Sequence, residues 1–507
     1  MATEAPPPTP LVLFGKVVTF DRDASVIDDG AVYIGADERF AAVQARRDPA
    51  PEGFTEAPRL ETKGVIYPGL IDLHNHIAYN CLSLWASPTR KEPWERRDQW
   101  PDDDSYKPKV SLPTTALCDI AGEAVLKYVE TKAVIGGTTA IQGSAKVPHY
   151  QGWLVRNVEK ETFRRAKKTT RQSVREIQRA ADLRPFRSAM EEGRGFIYHL
   201  SEGTDPSLIE EYELLRDADC LQPRLIAVHA TALGDEQLEE WGIPGRDRGT
   251  IVWSPLSNLW LYGKTTAVAS ARDAGLRVCL GTDWSPSGSK NLLGELKVAD
   301  LVNRHELGGA FDDEQLCRMA TSNPADALGW DDRLGRLVEG LHGDVLVTAD
   351  RGGDPYRNLI EAVESDVLFV AVNGYPFYGT TALLQAAKAE HAESIQVGRM
   401  RRSIVLVYPG VPNADMTWEQ VRKELKSARD DPKRHERTRQ GRRPGGAEVR
   451  MQPEKPFDQG LKVDEPTLET VPIPQPDPLL HGPAYFNALG RGGFHRGLLN
   501  RLRDYYQ

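Results

Sequence analysis

Residues 195–230 read GFIYHLSEGTDPSLIEEYELLRDADCLQPRLIAVHA. Two short apolar runs, FIYHL and RLIAVHA, end at His199 and His229. Between them PSLIEEYELLRDADCL (206–221) carries apolar residues at helical spacing. The pattern repeats downstream in TIVWSPLSN, with a break at Ser254, and LRVCLGTDWS, with a break at Asp283. The steps from His199 to Asp283 are 30, 25 and 29 residues, each enough for one strand, one helix and two short loops. Strands alternating with helices at this spacing predict parallel βα units, and the reading is an α/β fold built on a (β/α)8 TIM-type barrel. In that architecture the chemistry sits at the C-terminal strand ends, where these polar residues fall.

Working outward, GVIYPGLIDLHNH (64–76) reads as the first barrel strand, GGTTAIQG (136–143) as the second and GWLVRNVE (152–159) as the third. Residues 160–195 hold charged, helical text with no recognisable fourth strand. The segment 77–115, with Trp85, Trp94, Arg97, Trp100 and Tyr106, reads as a long loop capping the site. Upstream, LVLFGKVVTF, DRDAS and VIDDGAVYIG (11–35) suggest antiparallel strands, and β-rich text returns at 333–350 and 366–378. The expected domains are a disordered lead (1–9), a small composite β-sandwich (10–63 plus 333–410), the barrel (64–332) and an extended C-terminal tail (411–507). The tail is charged at 421–443 and Pro-rich at 452–483.

Composition narrows the function classes. The 64 Lys and Arg against 73 Asp and Glu give a formal charge of −9, which argues against bulk nucleic-acid binding. The basic stretch 433–443 lacks interleaved aromatics for stacking on bases and reads as solvated tail. No apolar run approaches the roughly 20 residues of a membrane-spanning helix, and MATEAPPPTP lacks a secretion signal's pattern. Five scattered cysteines form no CxxC pair, so neither disulfides nor a zinc ribbon are indicated. The expectation is a reduced, cytoplasmic, soluble protein.

His74 and His76, two apart at a strand end, fall on one face and make half of a metal site. His199 adds an imidazole and Asp283 a carboxylate, a donor set suited to one divalent metal, Zn²⁺ first, with Fe²⁺, Co²⁺ or Mn²⁺ as alternatives. Any one of them alone reads as a hydrogen-bonded core residue. Four at successive strand ends read as a site. His229 faces the same cavity as a fifth ligand or a group orienting the attacking water. Glu202, three residues after His199, is placed to carry a proton between water and leaving group.

PGLIDLHNH, GGTT, HLSE, VHA, SPLSN, GTD and the closing NPADALG, LGRLVEG and GDVLV resemble the amidohydrolase superfamily over about residues 10–378. The branch of cytosine-deaminase-like and triazine-hydrolase-like enzymes is the nearest in pattern. The resemblance implies metal ligation by His74, His76, His199 and Asp283, proton shuttling by Glu202, and water positioning or substrate polarisation by His229. Asp283 would accept the water proton. Two-metal branches use a carboxylated Lys after the fourth strand; Lys146 follows the second, so one metal is expected.

Trp85, Trp253 and Trp284 are expected to line an apolar or aromatic substrate pocket. The pattern is similar to phenylurea and thiocarbamate hydrolases, which favours hydrolysis of an amide, urea or carbamate C–N bond of a small molecule. Deamination of a heterocycle is the alternative within catalysis, and a non-catalytic scaffold the alternative outside it. A homo-oligomer is expected from the family.

Overall fold

A computed structural model describes residues 7–143, 145, 150, 152–160, 163, 170–173, 177–242, 249–407, 415–431 and 479–507. Four strands open the chain: β1 (Leu11–Val18), β2 (Val26–Ile34), β3 (Phe40–Ala45) and β4 (Arg59–Pro68). Eight short strands follow: β5 (Leu70–Asp72), β6 (Thr138–Ile141), β7 (Arg156–Asn157), β8 (Thr170–Ser173), β9 (Gly195–Leu200), β10 (Leu225–His229), β11 (Thr250–Trp253) and β12 (Arg277–Leu280). The last five are β13 (Val345–Ala349), β14 (Val367–Val372), β15 (Tyr375–Gly379), β16 (Ala392–Val397) and β17 (Met400–Val405).

The eight middle strands pair parallel in two sheets, β5-β6-β7 and β12-β11-β10-β9-β8. The edges β5 and β12 meet beyond their ends, where Asp283 N donates to His74 O at 2.9 Å and Asn75 and Asp283 form a parallel bridge. This is a TIM-barrel-like arrangement. One buried cluster draws Ile71, Ala140, Ile197, Ile226, Val228, Val252 and Cys279 from six of the strands and closes on Trp330 and Leu334.

Three readings of the sequence change. The run 64–76 is two strands: up to Pro68 it belongs to β4, and only Leu70–Asp72 joins the parallel set. The division falls at Gly69, where a Cβ would lie 2.2 Å from the Thr139 side chain, so the chain turns where only glycine fits. The missing fourth strand is β8, pairing parallel with β9. The flanks form one hydrogen-bonded sheet of nine strands, in the order β16-β17-β15-β14-β13-β4-β1-β2-β3, where two faces of a small sandwich were expected. Of the expected lead, residues 1–6 lie outside the described residues, as do Lys146 and the basic stretch 433–443.

Residues 77–111 run over the strand ends with only short helical turns at Ile77–Tyr79, Trp100–Asp102 and Lys107–Ser111. A helical segment, Leu112–Ile135, kinked at Ala121, then returns the chain to β6. All five cysteines are buried, and none forms a disulfide. Among the described residues no helix is long and apolar enough to cross a membrane. In the tail, the helix Trp418–Asp430 packs on Leu112–Ile135, and residues 479–507 return to the barrel, with His481 bonded to Glu364.

Candidate metal centre

His74, His76, His199, His229, Glu202 and Asp283 converge at the C-terminal ends of β5, β9, β10 and β12. His74, His199 and His229 present ring nitrogens within 4.8 Å of one another, and so do the donor atoms of His74, His76 and Asp283. Asp283 Oδ1 lies 3.1 Å from His74 Nε2 and 3.4 Å from His76 Nε2. The rings stand edge to face, with centroids 4.7 Å apart for His74 and His199 and 5.0 Å for His74 and His229.

Local backbone explains how they meet. In β9, Ile197 and His199 share a face by strand alternation. In β10 it is Ile226 and Val228 that pack with Ile197, so alternation would turn His229 away. Its backbone adopts φ 65° and brings the ring back into the site; Asp283 has φ 58° and Ser201 φ 48°. Left-handed backbone at non-glycine residues persists where the surroundings enforce it, commonly at functional sites. At Gly281 a Cβ would lie 2.4 Å from His74 Cβ, so the approach of β12 to the first histidine requires glycine.

A surrounding set of hydrogen bonds orients each group. Asp72 accepts from Thr282 Oγ1 at 2.6 Å and Asn75 Nδ2 at 3.0 Å, tying β5 to the loop after β12. Ser257 Oγ donates to Asp283 Oδ2 at 2.7 Å. His229 Nδ1 lies 2.8 Å from Asn258 Oδ1, while Asn258 Nδ2 donates to Thr266 Oγ1 and Thr266 Oγ1 to His229 O. That chain makes His229 Nδ1 the donor and leaves Nε2 as the acceptor in the neutral ring. Nε2 points inward, 3.7 Å from Glu202 Oε1 and 3.8 Å from Asp283 Oδ2. Tyr262 OH donates to Glu202 Oε1 at 2.6 Å. From the cap, Arg97 donates to His199 O at 2.9 Å and pairs with buried Glu211 at 3.0 Å.

The electrostatics favour a cation. Burial, and after it the neighbouring His74 charge, drive His199 well below the ordinary histidine range and His76 down to about 3, so both rings are neutral and able to ligate. Burial pulls His74 down, but Asp283 outweighs it and raises the ring. Burial likewise opposes ionisation of Asp283, yet the charge and hydrogen bond of His74 hold it below the usual carboxylate range. Burial pushes Asp72 up to about 6. The donor set fits a divalent metal on a direct observation. Nδ1 of His74, Nδ1 of His199 and Oε2 of Glu202 are buried without a hydrogen-bond partner, and His74 Nε2 faces only the Asp283 carboxylate at 3.1 Å. Buried polar atoms left bare are costly unless something occupies them.

Above the donors, Trp284 packs against Trp100 (5.1 Å between centroids), Tyr79 (5.3 Å) and Tyr106 (6.1 Å), and Trp85 meets Tyr106 at 5.6 Å. These aromatics form one buried apolar cluster beside Asp283. Of the three tryptophans expected in the substrate pocket, Trp85 and Trp284 join this group. Trp253 is fully buried in β11 with its indole N–H on Thr265 Oγ1, following Val252, which packs in the barrel cluster. Sequence reasoning missed Ser257, Asn258, Tyr262 and Asp72, although SPLSN itself carries the first two.

The sequence matches the amidohydrolase family over residues 188–376. It is 27% identical over 415 residues to a 5-methylthioadenosine/S-adenosylhomocysteine deaminase from Syntrophobacter fumaroxidans, covering 72% of this chain and 91% of that protein. Among solved structures, an adenosine deaminase from Xanthomonas campestris with bound zinc superposes with a TM-score of 0.56 at 19% identity, over 76% of this chain and 98% of the other. The zinc complex of atrazine chlorohydrolase from Arthrobacter aurescens gives 0.57 at 18% identity, over 72% and 95%. Fold and donor set together define a metal-dependent hydrolase with a single divalent-metal site. The family match over residues 188–376 and the relatedness to these enzymes support membership of the amidohydrolase superfamily.

Proposed function

We propose that the protein is an aminohydrolase that removes an exocyclic amino group from a nitrogen heterocycle, adenine-like bases foremost. The observation that carries this reading is the relatedness to 5-methylthioadenosine/S-adenosylhomocysteine deaminases along nearly their whole length, joined to the placement of Glu202 beside the donor cluster. The acyl-type reading, first from the sequence, gives way to deamination, because the related curated enzymes are deaminases.

In this reading His74, His76, His199 and Asp283 hold one divalent metal, zinc foremost, with the eight parallel strands closed as a barrel around them. The metal supplies Lewis acidity that makes water a nucleophile near neutral pH. His229 Nε2, an acceptor in the neutral ring, holds and orients the attacking water. This favours the orienting role over donation to the charge that develops on the substrate. Asp283 accepts the proton that water releases. Glu202 Oε2, buried and unpartnered, takes up a proton that originates from the water and passes it to the departing nitrogen, which otherwise leaves poorly. The aromatic cluster excludes water and stacks on a flat ring.

The test is product analysis with zinc-loaded enzyme on adenosine-type nucleosides, guanine, cytosine, amino-triazines and aryl ureas. Ammonia released with the ring intact supports the reading. Turnover restricted to aryl ureas, with cleavage at the acyl carbon, overturns it.

A further inference from the structure

The proton-shuttling group does not stand alone. Glu202 is buried, with Oε1 accepting from Tyr262 OH at 2.6 Å and Oε2 bare. Tyr262 OH in turn accepts from Trp100 Nε1 at 3.4 Å. The phenol therefore donates its one O–H to the carboxylate and accepts a hydrogen bond from the cap. Burial, and after it the Glu202 charge, raise the phenol well above its ordinary range, so it remains a donor.

The helix that carries Tyr262, Pro255–Tyr262, is the one that supplies Ser257 to Asp283 and Asn258 to His229. Asn258 and Tyr262 are four residues apart and share a helix face. That face touches the water-orienting histidine and the proton-shuttling glutamate together. The helix stops directly after Tyr262 on Gly263 at φ 62°, which fixes where the ring is aimed. On the other side, the cap is strapped to the Glu202 loop. Thr204 N and Asp205 N both donate to Glu95 O, and Arg96 NH1 donates to Ser207 Oγ at 2.7 Å. Trp100 also packs on Trp284, the residue after Asp283.

We propose that Tyr262 is a positioning residue that holds Glu202 by one oxygen so that the other faces the reacting nitrogen, with Trp100 linking the cap to that hold. This rests on Glu202 being the proton shuttle. A phenol merely satisfied in the core would leave the carboxylate's orientation and the turnover rate independent of its hydroxyl.

A double-mutant cycle of Tyr262→Phe and Glu202→Gln on zinc-loaded enzyme tests it, with crystal structures of wild type and Tyr262→Phe. Tyr262→Phe is expected to keep its metal, to leave KM within about twofold and to lower kcat by about ten- to a hundredfold. The double variant should be no slower than Glu202→Gln, because Tyr262 acts through Glu202. In the Tyr262→Phe crystal the Glu202 carboxylate should leave its wild-type position. Multiplying losses, wild-type kcat in Tyr262→Phe, or an unmoved carboxylate each overturn the proposal. Glu202→Gln at wild-type turnover overturns the shuttle reading, and this proposal with it. Should only aryl ureas be turned over, the deaminase reading fails while the cycle on that substrate still decides the role of Tyr262. If Tyr262→Phe does not fold, Trp100→Phe takes its place, with a several-fold fall in kcat expected and unchanged kcat contradicting the link to the cap.

Discussion

Glu295 is fully buried in the helix Leu292–His305, and its Oε1 accepts from Leu256 N at 3.0 Å, at the start of the helix bearing Ser257, Asn258 and Tyr262. Burial pushes its pKa up to about 8, with Ser289 and Leu256 N pulling the other way. The folded protein therefore keeps this proton to about pH 8, while the unfolded chain releases it above the ordinary glutamate value near 4.5. Between those limits the unfolded state binds fewer protons, so stability falls as pH rises, by about 1.4 kcal/mol per pH unit from this group. Glu295→Gln keeps the acceptor for Leu256 N and removes the titration. From pH 5 to pH 7 the unfolding free energy of the variant should gain about 3 kcal/mol relative to wild type, and the difference should level off above about pH 8. Denaturant unfolding of both proteins in one zinc-containing buffer, followed by tryptophan fluorescence, measures it. A difference that stays constant from pH 5 to pH 8 would refute the reasoning.

Three further outcomes are expected. Glu202→Gln should retain its metal while turnover falls by about 10²- to 10⁴-fold, read by metal analysis and steady-state kinetics. His199→Ala should lose most of its metal, and full occupancy after dialysis would remove His199 from the donor set. Arg97→Met leaves Glu211 buried without its cation and should cost about 3–5 kcal/mol in unfolding free energy, partly recovered by adding Glu211→Gln; a loss under about 1 kcal/mol would contradict this.

The clustering of these side chains was legible because each follows an apolar run, where a polar break is a local signal. His74, His76, His199, His229 and Asp283 needed no knowledge of distant partners. The strand β8 was not legible: Thr170–Ser173 reads TRQS, with no apolar residue to betray it. The division at Gly69 was hidden inside one continuous apolar run, since the clash with Thr139 that requires it comes from 70 residues away in the chain. Ser257, Asn258 and Tyr262 sat in full view in SPLSNLWLY. Their roles come from contacts with Asp283, His229 and Glu202, 26, 29 and 60 residues distant. Trp253 shows the converse. It follows the same local rule as its neighbours, yet alternation places Val252 in the barrel cluster and leaves Trp253 bonded to Thr265.

The central claim is one divalent metal held by His74, His76, His199 and Asp283. Elemental analysis of protein purified without chelator, paired with anomalous diffraction at the zinc edge, tests it most directly. The account predicts about one zinc, iron, cobalt or manganese per chain, with a single anomalous peak among those four side chains. Two peaks, a peak elsewhere, or a protein that takes up no metal when it is supplied would contradict it.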